Sequence, residues 1–535
     1  MWFELDRVKR IFVTAVVMLA SLGLFSSAIA QVKGSSDRKN APAIKVFKDE
    51  LKKPKKVKKR KGPADLAQPK TKRERLAAAK LEAAIQTANE VLEFGDDSDP
   101  DYPLTLVKIA DLFWQKSEYY FEQSQSTSLL EALYKAEEAK DKVELSRLKA
   151  EQARLQSLRR QWQIRAIEQY KKIESGFPNY KDLDEVLYAI GHNLTLMGKA
   201  REAYNYYQRL VREMPESQLV PDAQLNIGDY FFAMNQFEQA MDYYGKVQQW
   251  GVSRVQGIAI YKTGWCYFNL EQKDKALDRF LATVRWTDSQ KAQGLPNRLD
   301  LQNEALRDMV EAYSYIGSPA KSVGFFKKIA PKFYINLCER LSNIYRADSN
   351  YPDSTALLRE LIKSLGKKDY RVLRYHREIV YNTFRSGDKE GVKQELSALT
   401  TALASSLDKM PAEYKKSEMR DLEEVLRVVG TDYHKESEKT LNRETQLLAL
   451  YVYEQYLEWF PEAKNYYTMT FNVAILAYQM EEYARAARLF EKVITLEPKG
   501  QFAVPAAHTV LLSYFKMVNV VAPTEKSADD EEELT

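Results

Sequence analysis

Three landmarks recur in this sequence at one period, and that recurrence constrains the fold more than any single residue. Four alanines, each followed four residues later by an aromatic residue, succeed one another at steps of 37, 37 and 36 residues. The alanines are Ala166, Ala203, Ala240 and Ala276, and the aromatic residues are Tyr170, Tyr207, Tyr244 and Phe280. Twelve residues before the last three alanines stand Gly191, Gly228 and Gly264, and twelve after the first two stand Pro178 and Pro215. Such a period is typical of a repeat array.

A unit of two helices accounts for these spacings. A glycine in the first helix lets the second helix approach closely, the alanine faces it, and the aromatic residue lies one turn further along the same face. The proline then ends the unit, because it cannot continue a helix. Each unit exposes an apolar face that only a neighbouring unit can cover. The sequence therefore predicts an all-α solenoid of stacked helix pairs.

The same spacings return near the C-terminus. Ala474, Ala486, Phe490 and Pro498 are separated by 12, 4 and 8 residues, with alanine in the place of the glycine. Tyr453 and Pro461 fit the second helix of the preceding unit, one period of 37 residues earlier. We therefore expect one good last repeat and at least half of its predecessor.

The pattern degenerates in the middle of the chain. Ala320 and Ala356 lie a period apart, but Gly324 stands where an aromatic residue is expected. We expect helix pairs there without a defined register. The predicted boundaries are a solenoid over residues 176–520, clear repeats over about 150–285 and 445–500, and degenerate repeats over 286–444.

Residues 76–175 are predicted to form a helical region ahead of most of the solenoid. Leu104 to Phe121 has the periodicity of an amphipathic helix. Leu129 to Ile173 runs on with few helix breakers and is dense in Glu, Lys, Arg, Ala and Leu. That composition indicates a long helix or a coiled-coil-like hairpin.

Residues 1–30 have the order of a secretory signal peptide. Basic residues precede an apolar run and a small-residue motif, namely Arg7, Lys9 and Arg10, then residues 11–25, then Ala28-Ile29-Ala30. The run is shorter than the roughly 20 apolar residues of a spanning helix. We expect cleavage after Ala30 and a periplasmic mature chain with no transmembrane span. An uncleaved inner-membrane anchor is the alternative, and Gln31 stands where a lipoprotein would have cysteine.

Charge is concentrated near the two ends of the chain. Residues 31–75 are polar and basic, and a run of like charges repels itself and cannot bury a core, so we expect disorder. At its centre lie Lys52, Lys53, Lys55, Lys56, Lys58, Lys59, Arg60 and Lys61. These residues either form a solvated tether or contact anionic lipid or cell-wall carboxylates, and export argues against nucleic acid. Residues 521–535 are expected to be a disordered acidic tail.

No pattern in the sequence indicates catalysis, a cofactor or a metal. The four histidines lack the spacing of a metal-binding helix motif, and two cysteines cannot form a structural zinc site. They are His192, His376, His434 and His508, with Cys266 and Cys338. Phosphate-binding glycine loops and nucleophile elbows are also absent from the sequence. We therefore expect a non-catalytic protein.

Three stretches, residues 184–188, 261–270 and 304–308, resemble a group of large exported tetratricopeptide-repeat (TPR) proteins of predatory and gliding bacteria. The resemblance runs from Tyr102 to Phe490, and the group includes components of gliding-motility machinery. More distantly, the array is similar to TPR proteins of outer-membrane barrel assembly and of the Tol-Pal system. The resemblance implies a TPR-type right-handed superhelix that acts as a scaffold.

The TPR resemblance also implies a binding surface, because the first helix of each pair lines the concave groove in that family. Its spacing around the three glycines places seven residues on or near the groove, namely Tyr188, His192, Asp229, Phe232, Tyr261, Trp265 and Phe268. For Tyr261 and Phe268, burial between repeats is the competing interpretation. No basic carboxylate clamp is evident, so an extended or helical segment docked by apolar side chains is the expected ligand.

Two functions of different classes are compatible with the sequence. The first is a scaffold that binds envelope proteins in gliding motility, envelope biogenesis or division. The second is a cell-wall-associated enzyme or a regulator of a wall-modifying enzyme, because some wall-cleaving enzymes carry long helical superhelices.

N-terminal sequencing of the mature protein tests the export prediction. Signal peptidase cleavage after Ala30 leaves Gln31 as the first residue. A mature chain that begins at Met1 would contradict cleavage and favour the uncleaved anchor.

Overall fold

Helices form all the regular structure in the part of the chain that the computed structural model describes, which is residues 72–95, 98–250, 253–295, 299–366 and 369–521. The predicted all-α solenoid is confirmed. The predicted signal peptide, nearly all of the basic segment and all but the first residue of the acidic tail lie outside these residues. The first helix among the described residues begins at Lys72, inside the segment predicted to be disordered.

The N-terminal region contains α1 (Lys72–Phe94), α2 (Tyr102–Ser124), α3 (Thr127–Glu138) and α4 (Lys142–Gly176). The first helices of the pairs that follow are α5 (Leu183–Leu196), α7 (Val220–Ala233), α9 (Gln256–Asn269), α11 (Leu299–Ile316), α13 (Tyr334–Ala347), α15 (Arg371–Arg385), α17 (Ala412–Thr440) and α19 (Tyr466–Gln479). Their second helices are α6 (Ala200–Glu213), α8 (Phe237–Gln249), α10 (Lys273–Ala292), α12 (Pro319–Ile329), α14 (Tyr351–Leu365), α16 (Lys389–Ser406), α18 (Arg443–Trp459) and α20 (Tyr483–Leu496). A short 3₁₀ turn, Leu407–Lys409, follows α16, and α21 (Ala503–Val521) follows the last pair.

One tight turn joins the helices of six pairs. It has three residues, and its middle residue has a positive φ, at Gly198, Asn235, Glu271, Ser349, Gly387 and Glu481. The N–H of the next residue donates to the carbonyl five residues earlier, as Lys199 does to Leu194 at 2.9 Å, which is the Schellman ending of a helix. The regular and the degenerate pairs α13–α14 and α15–α16 therefore share one hairpin geometry.

An aromatic ring of the second helix covers the glycine of the first. A Cβ added to Gly228 would lie 2.4 Å from Cε1 of Tyr244, and one added to Gly264 would lie 2.8 Å from Cε1 of Phe280. Gly191 meets Tyr207 in the same way, at 2.7 Å. The expectation that the alanine faces the glycine is thus revised: the ring lies on the glycine, and the fully buried alanine sits one turn before the ring.

The degenerate pairs keep this architecture in another register. The places of the glycine, the alanine and the aromatic residue are fully buried in these pairs. They are occupied by Val310, Ser322 and Phe326, by Ser342, Ser354 and Leu358, and by Val380, Val392 and Leu396. The units are separated by 32 and 38 residues instead of a constant period. Ala320 is exposed and Ala356 is half-buried, so neither occupies the buried alanine place. That place lies two residues away in each case, at Ser322 and Ser354. Serine takes the alanine place, and the hydroxyls of Ser342 and Ser354 pair at 2.8 Å.

The N-terminal region contains an insertion into the first pair. Ala166 and Tyr170 belong to α4, but they pack on α2, where Tyr170 donates to Asp111 at 2.7 Å. Along the chain, α3 and the first half of α4 lie between α2 and the half of α4 that carries Ala166 and Tyr170. These inserted helices share a small buried core that includes Leu129 and Leu148. Of the two predicted forms, one long helix or a coiled-coil-like hairpin, the structure has a hairpin, with its turn at residues 139–141.

Alanine substitution at two glycines of one pair tests the ring-on-glycine contact. Gly228→Ala forces the buried Tyr244 ring to move, which we expect to destabilise the protein by roughly 1–3 kcal/mol. Gly245→Ala, on α8, meets no atom within 4 Å and should be neutral or stabilising by up to about 1 kcal/mol through helix propensity. Thermal unfolding of both variants gives the answer. Equal melting temperatures would contradict the packing described for this pair.

Candidate protein-binding surface

The predicted groove residues occupy a repeated set of positions on the first helices of the pairs. These positions lie three residues before, one residue after and four residues after the glycine of each unit. In α5, α7 and α9 these positions hold all seven side chains from the sequence prediction, together with Thr195 and Leu225. We call the side chains at these positions, with the neighbours that they contact, the first-helix surface.

At the N-terminal end of this surface, rings bridge three helices. His192 stacks on Tyr188 with ring centroids 6.2 Å apart and lies 6.1 Å from the ring of Trp114 on α2. Asn226 on α7 donates to the Tyr188 hydroxyl at 3.4 Å. Burial lowers the pKa of His192 to about 4, so this ring is neutral at pH 7.

Ion pairs continue the surface between α7 and α9. Asp229 accepts from the Tyr244 hydroxyl at 2.7 Å and pairs with Lys262 at 2.9 Å. Asp222, which is buried, pairs with Arg254 at 2.8 Å in the loop before α9. These contacts satisfy the charges within the protein and hold neighbouring repeats in register.

The three α9 side chains occupy different depths. Tyr261 is buried, as its core interpretation requires, and its hydroxyl donates to Asp308 on α11 at 2.5 Å. Trp265 is half-buried and meets Phe280 and Phe268 edge-on, with centroids 5.6 and 5.2 Å apart. The outer part of this surface is therefore formed by Trp265 and Phe268.

Tyr315 on α11 extends the aromatic surface and was missed by the sequence prediction. Its ring is 52% exposed and lies 5.8 Å from Phe268, edge-on. The Lys273 ammonium sits over both rings, 3.5 Å from the Phe268 centroid and 4.8 Å from that of Tyr315. Tyr315 lies five residues after Val310, outside the repeated positions, so the repeat spacing could not have found it. Phe232 stands apart and packs on Phe237 across the α7–α8 turn, at 5.3 Å.

Charges replace rings on the first helices further along the chain. Glu339 and Arg377 occupy the position three residues before the glycine place, where α5 and α9 carry tyrosines. Tyr375 donates to Glu339 at 2.8 Å, and Arg377 makes two bonds to the buried Glu418, at 2.6 and 3.2 Å. Burial is the largest effect and lowers the pKa of Arg377, but Glu418, Glu378 and Asp421 together outweigh it and raise that pKa above its usual value. Breaking such a buried pair is costly, so these residues hold α13, α15 and α17 together.

The described residues contain no group of three or more His, Cys, Asp or Glu side chains placed to bind a metal. Both cysteines are buried, and burial raises the pKa of Cys266 and Cys338 to about 12, which keeps the thiols protonated at neutral pH. Among these same residues, no helix has the length and apolar character needed to cross a membrane.

Acid sensitivity tests the environment of His192. The unfolded chain protonates this residue below about pH 6.5, whereas the folded protein does so only near pH 4. Stability should therefore fall as the pH drops from 6.5 towards 4, by on the order of 2–3 kcal/mol from this group. His192→Gln should lose less in melting temperature between pH 7 and pH 5 than the wild type does. An equal loss in both proteins would contradict a buried, neutral His192.

A family model described as tetratricopeptide repeat matches residues 222–249 and 258–285. These segments coincide with α7–α8 and α9–α10. Comparison with curated proteins gave no significant match.

Solved structures with a local likeness include two bacterial TPR proteins and a yeast complex. The C-terminal part of a TPR repeat-containing protein from Cytophaga hutchinsonii is 13% identical, with 53% of this chain and 98% of that chain covered and a TM-score of 0.28. A tetratricopeptide repeat protein from Parabacteroides merdae is 12% identical, with 62% and 98% covered and a TM-score of 0.23. The TPR2AB domain of yeast Sti1 in a complex with pHSP90 is 12% identical, with 62% and 99% covered and a TM-score of 0.22. Scores this low say nothing about what the chain binds, and it is the family match that identifies α7–α10 as tetratricopeptide repeats.

Proposed function

We propose that this chain is a non-catalytic scaffold that binds protein partners through the aromatic part of the first-helix surface, from α5 to α11. The observation that carries the proposal is that the matched tetratricopeptide repeats, α7–α10, present half-buried rings at these positions. TPR modules are generally interaction modules, and solenoids use extended surfaces of this kind for binding.

The chemistry of the surface favours an apolar ligand segment. Trp265, Phe268 and Tyr315 form an edge-to-face aromatic cluster, and aromatic side chains are the commonest anchors of protein interfaces. The nearby cations Lys262 and Arg254 are already paired with carboxylates of this chain. An extended or helical peptide with apolar anchors therefore fits better than a terminal carboxylate.

The location that we propose is the periplasm of a bacterial cell envelope, after removal of residues 1–30. Support comes from the order of basic, apolar and small residues at the N-terminus and from the TPR resemblance. In that setting the partners are envelope proteins of a gliding-motility, envelope-biogenesis or division complex. Retention by an uncleaved N-terminal anchor, and contact of the basic segment with anionic lipid or cell wall, are compatible with the same role.

Partner recovery from envelope extracts tests the surface. Residues 31–535 are immobilised, and Trp265→Ala is compared with Trp286→Ala, a half-buried tryptophan on the second helix of the same pair. Loss of an aromatic anchor worth about 2 kcal/mol weakens binding roughly 30-fold. We expect Trp265→Ala to lose the recovered partner and Trp286→Ala to keep it. The melting temperatures of the two variants should be similar.

A second comparison separates binding from folding. Tyr315→Ser removes a half-exposed ring from the surface, and Tyr134→Ser removes an exposed ring from α3, 62% exposed. Only Tyr315→Ser should reduce recovery, and neither should change the melt by more than a few degrees. Unchanged recovery with both Trp265→Ala and Tyr315→Ser would reject this surface. Release of muropeptides from cell walls by the purified protein would instead support the wall-enzyme alternative.

A further inference from the structure

A small cavity lies between α2, the middle of α4 and the end of α5, and its volume is about 150 Å³. Its wall combines apolar side chains with donors of hydrogen bonds, and includes Phe121, Leu196, Met197, Arg159, Arg160 and Gln163. None of these residues occupies a repeated position of the first-helix surface. The aromatic binding surface therefore does not account for this cavity.

Two buried nitrogen atoms of the residues in the cavity wall find no hydrogen-bond acceptor among the described residues. One is the side-chain amide nitrogen of Gln163, which is only 3% exposed, and the other is Nε of Arg159. A buried donor without an acceptor costs about 1–3 kcal/mol of free energy. Donors of this kind beside a cavity indicate that an acceptor from another molecule fits there.

The ion pair of Arg159 is incomplete. Its Nη2 lies 3.6 Å from Oε1 of Glu118 on α2, which is longer than a hydrogen bond. Burial is the largest effect on both groups: it lowers the pKa of Arg159 despite the attraction of Glu118, and it raises the pKa of Glu118 despite that of Arg159. The lost hydration thus outweighs the attraction between the two charges. Arg159 therefore retains the capacity to bind a second anionic group.

Arg377 shows the effect of a complete ion pair in the same protein. The side chain of Arg377 is 12% exposed and that of Arg159 is 21% exposed, so Arg377 is the more deeply buried of the two. Arg377 nevertheless makes two hydrogen bonds to Glu418, and its pKa is raised. The opposite shift at Arg159 therefore comes from missing contacts with an anion and not from deeper burial.

The chemistry of the cavity favours a carboxylate over a phosphate. A guanidinium presents its N–H groups in a planar fork that matches a carboxylate. Arg160, which is exposed, adds a second positive charge and forms no ion pair within the described part of the chain. Glu118 opposes the nearly double negative charge of a phosphate more strongly than the single charge of a carboxylate. Phe121, Leu196 and Met197 suit the apolar atoms that carry a carboxylate in a peptide.

We propose that this cavity binds the carboxylate of a peptide, from an acidic side chain or from a chain terminus, with Arg159 and Gln163 as donors. The cavity provides a site for a charged group, whereas Lys262 and Arg254 of the first-helix surface are already paired with carboxylates of this chain.

Methyl NMR of Met197 tests the proposal, because this residue lines the cavity. The purified protein, labelled with carbon-13 at its methionine methyl groups, is titrated with small probes, and Met197→Leu assigns the signal. The α-amide of N-acetylglutamate carries only a side-chain carboxylate, N-acetylleucine carries only a terminal one, and the α-amide of N-acetylglutamine carries neither. We expect a saturable shift with a carboxylate probe and none with the glutamine amide. The carboxylate that saturates at the lower concentration identifies the source.

Variants on α4 connect the shift to the proposed donors. Arg159→Gln and Gln163→Leu should each weaken binding of the carboxylate by roughly 10-fold or more, because a hydrogen bond to a charged group is lost. Arg160→Gln should weaken it by about 3-fold through lost attraction, and its melting temperature should not change because Arg160 is exposed. The control is Arg147→Gln, at an arginine whose side chain is 60% exposed and lies outside the cavity wall. It should bind like the wild type.

Three results would overturn the proposal: no saturable shift with either carboxylate, an equal response to the glutamine amide, or unchanged binding in both Arg159→Gln and Arg160→Gln. Inorganic phosphate is the fourth probe. Saturation by phosphate at a lower concentration than by either carboxylate would also overturn it, in favour of a phosphate site. None of these outcomes depends on partner recovery through Trp265, so the two proposals fail separately.

Discussion

The contact between a ring of the second helix and a glycine of the first is the interaction on which the rest of this structure depends. Without a Cβ at Gly228, the ring of Tyr244 can lie on the helix backbone, and its hydroxyl still reaches Asp229, the residue that follows Gly228. That geometry determines the spacing and rotation of the two helices. The rotation in turn decides which side chains of the first helix point away from the second. The first-helix surface is therefore a consequence of the packing inside each pair.

The register of the repeats could be predicted where glycine, alanine and tyrosine make this contact. It could not be predicted where other residues make it. In the middle pairs Ser354 and Val392 take the alanine place, and units of 32 and 38 residues replace the constant period. The shared turn offered little help, because Glu271 and Ser349 adopt a positive φ there as readily as Gly198 does. A left-handed conformation of a residue other than glycine costs roughly 1 kcal/mol of free energy. Because the Schellman hydrogen bonds offset this cost, the turn does not require glycine and leaves no local signal in the sequence.

The candidate surface, like the fold, was predictable only where the glycines reveal the repeat register. The spacing around the glycines located Trp265 and Phe268, and the structure adds that Tyr261 serves the core. The pair Arg377–Glu418 escaped because it lies in units without a visible register, and Tyr315 escaped because it lies outside the repeated positions. Their contacts divide the first helices into two parts. The aromatic part keeps rings half-exposed, whereas the charged part buries its ions against each other and leaves little to offer a ligand.

This division bears on how the solenoid would hold a bound partner. The aromatic surface ends at α11, and four and a half helix pairs separate it from α21. The buried ion pairs lie in that interval and resist bending, because any sliding of α15 on α17 would separate Arg377 from Glu418 in a poorly solvated site. The ion pair between Asp229 on α7 and Lys262 on α9 does the same for the aromatic part. A ligand would therefore meet a surface that is already ordered, and less free energy is lost to ordering when it binds.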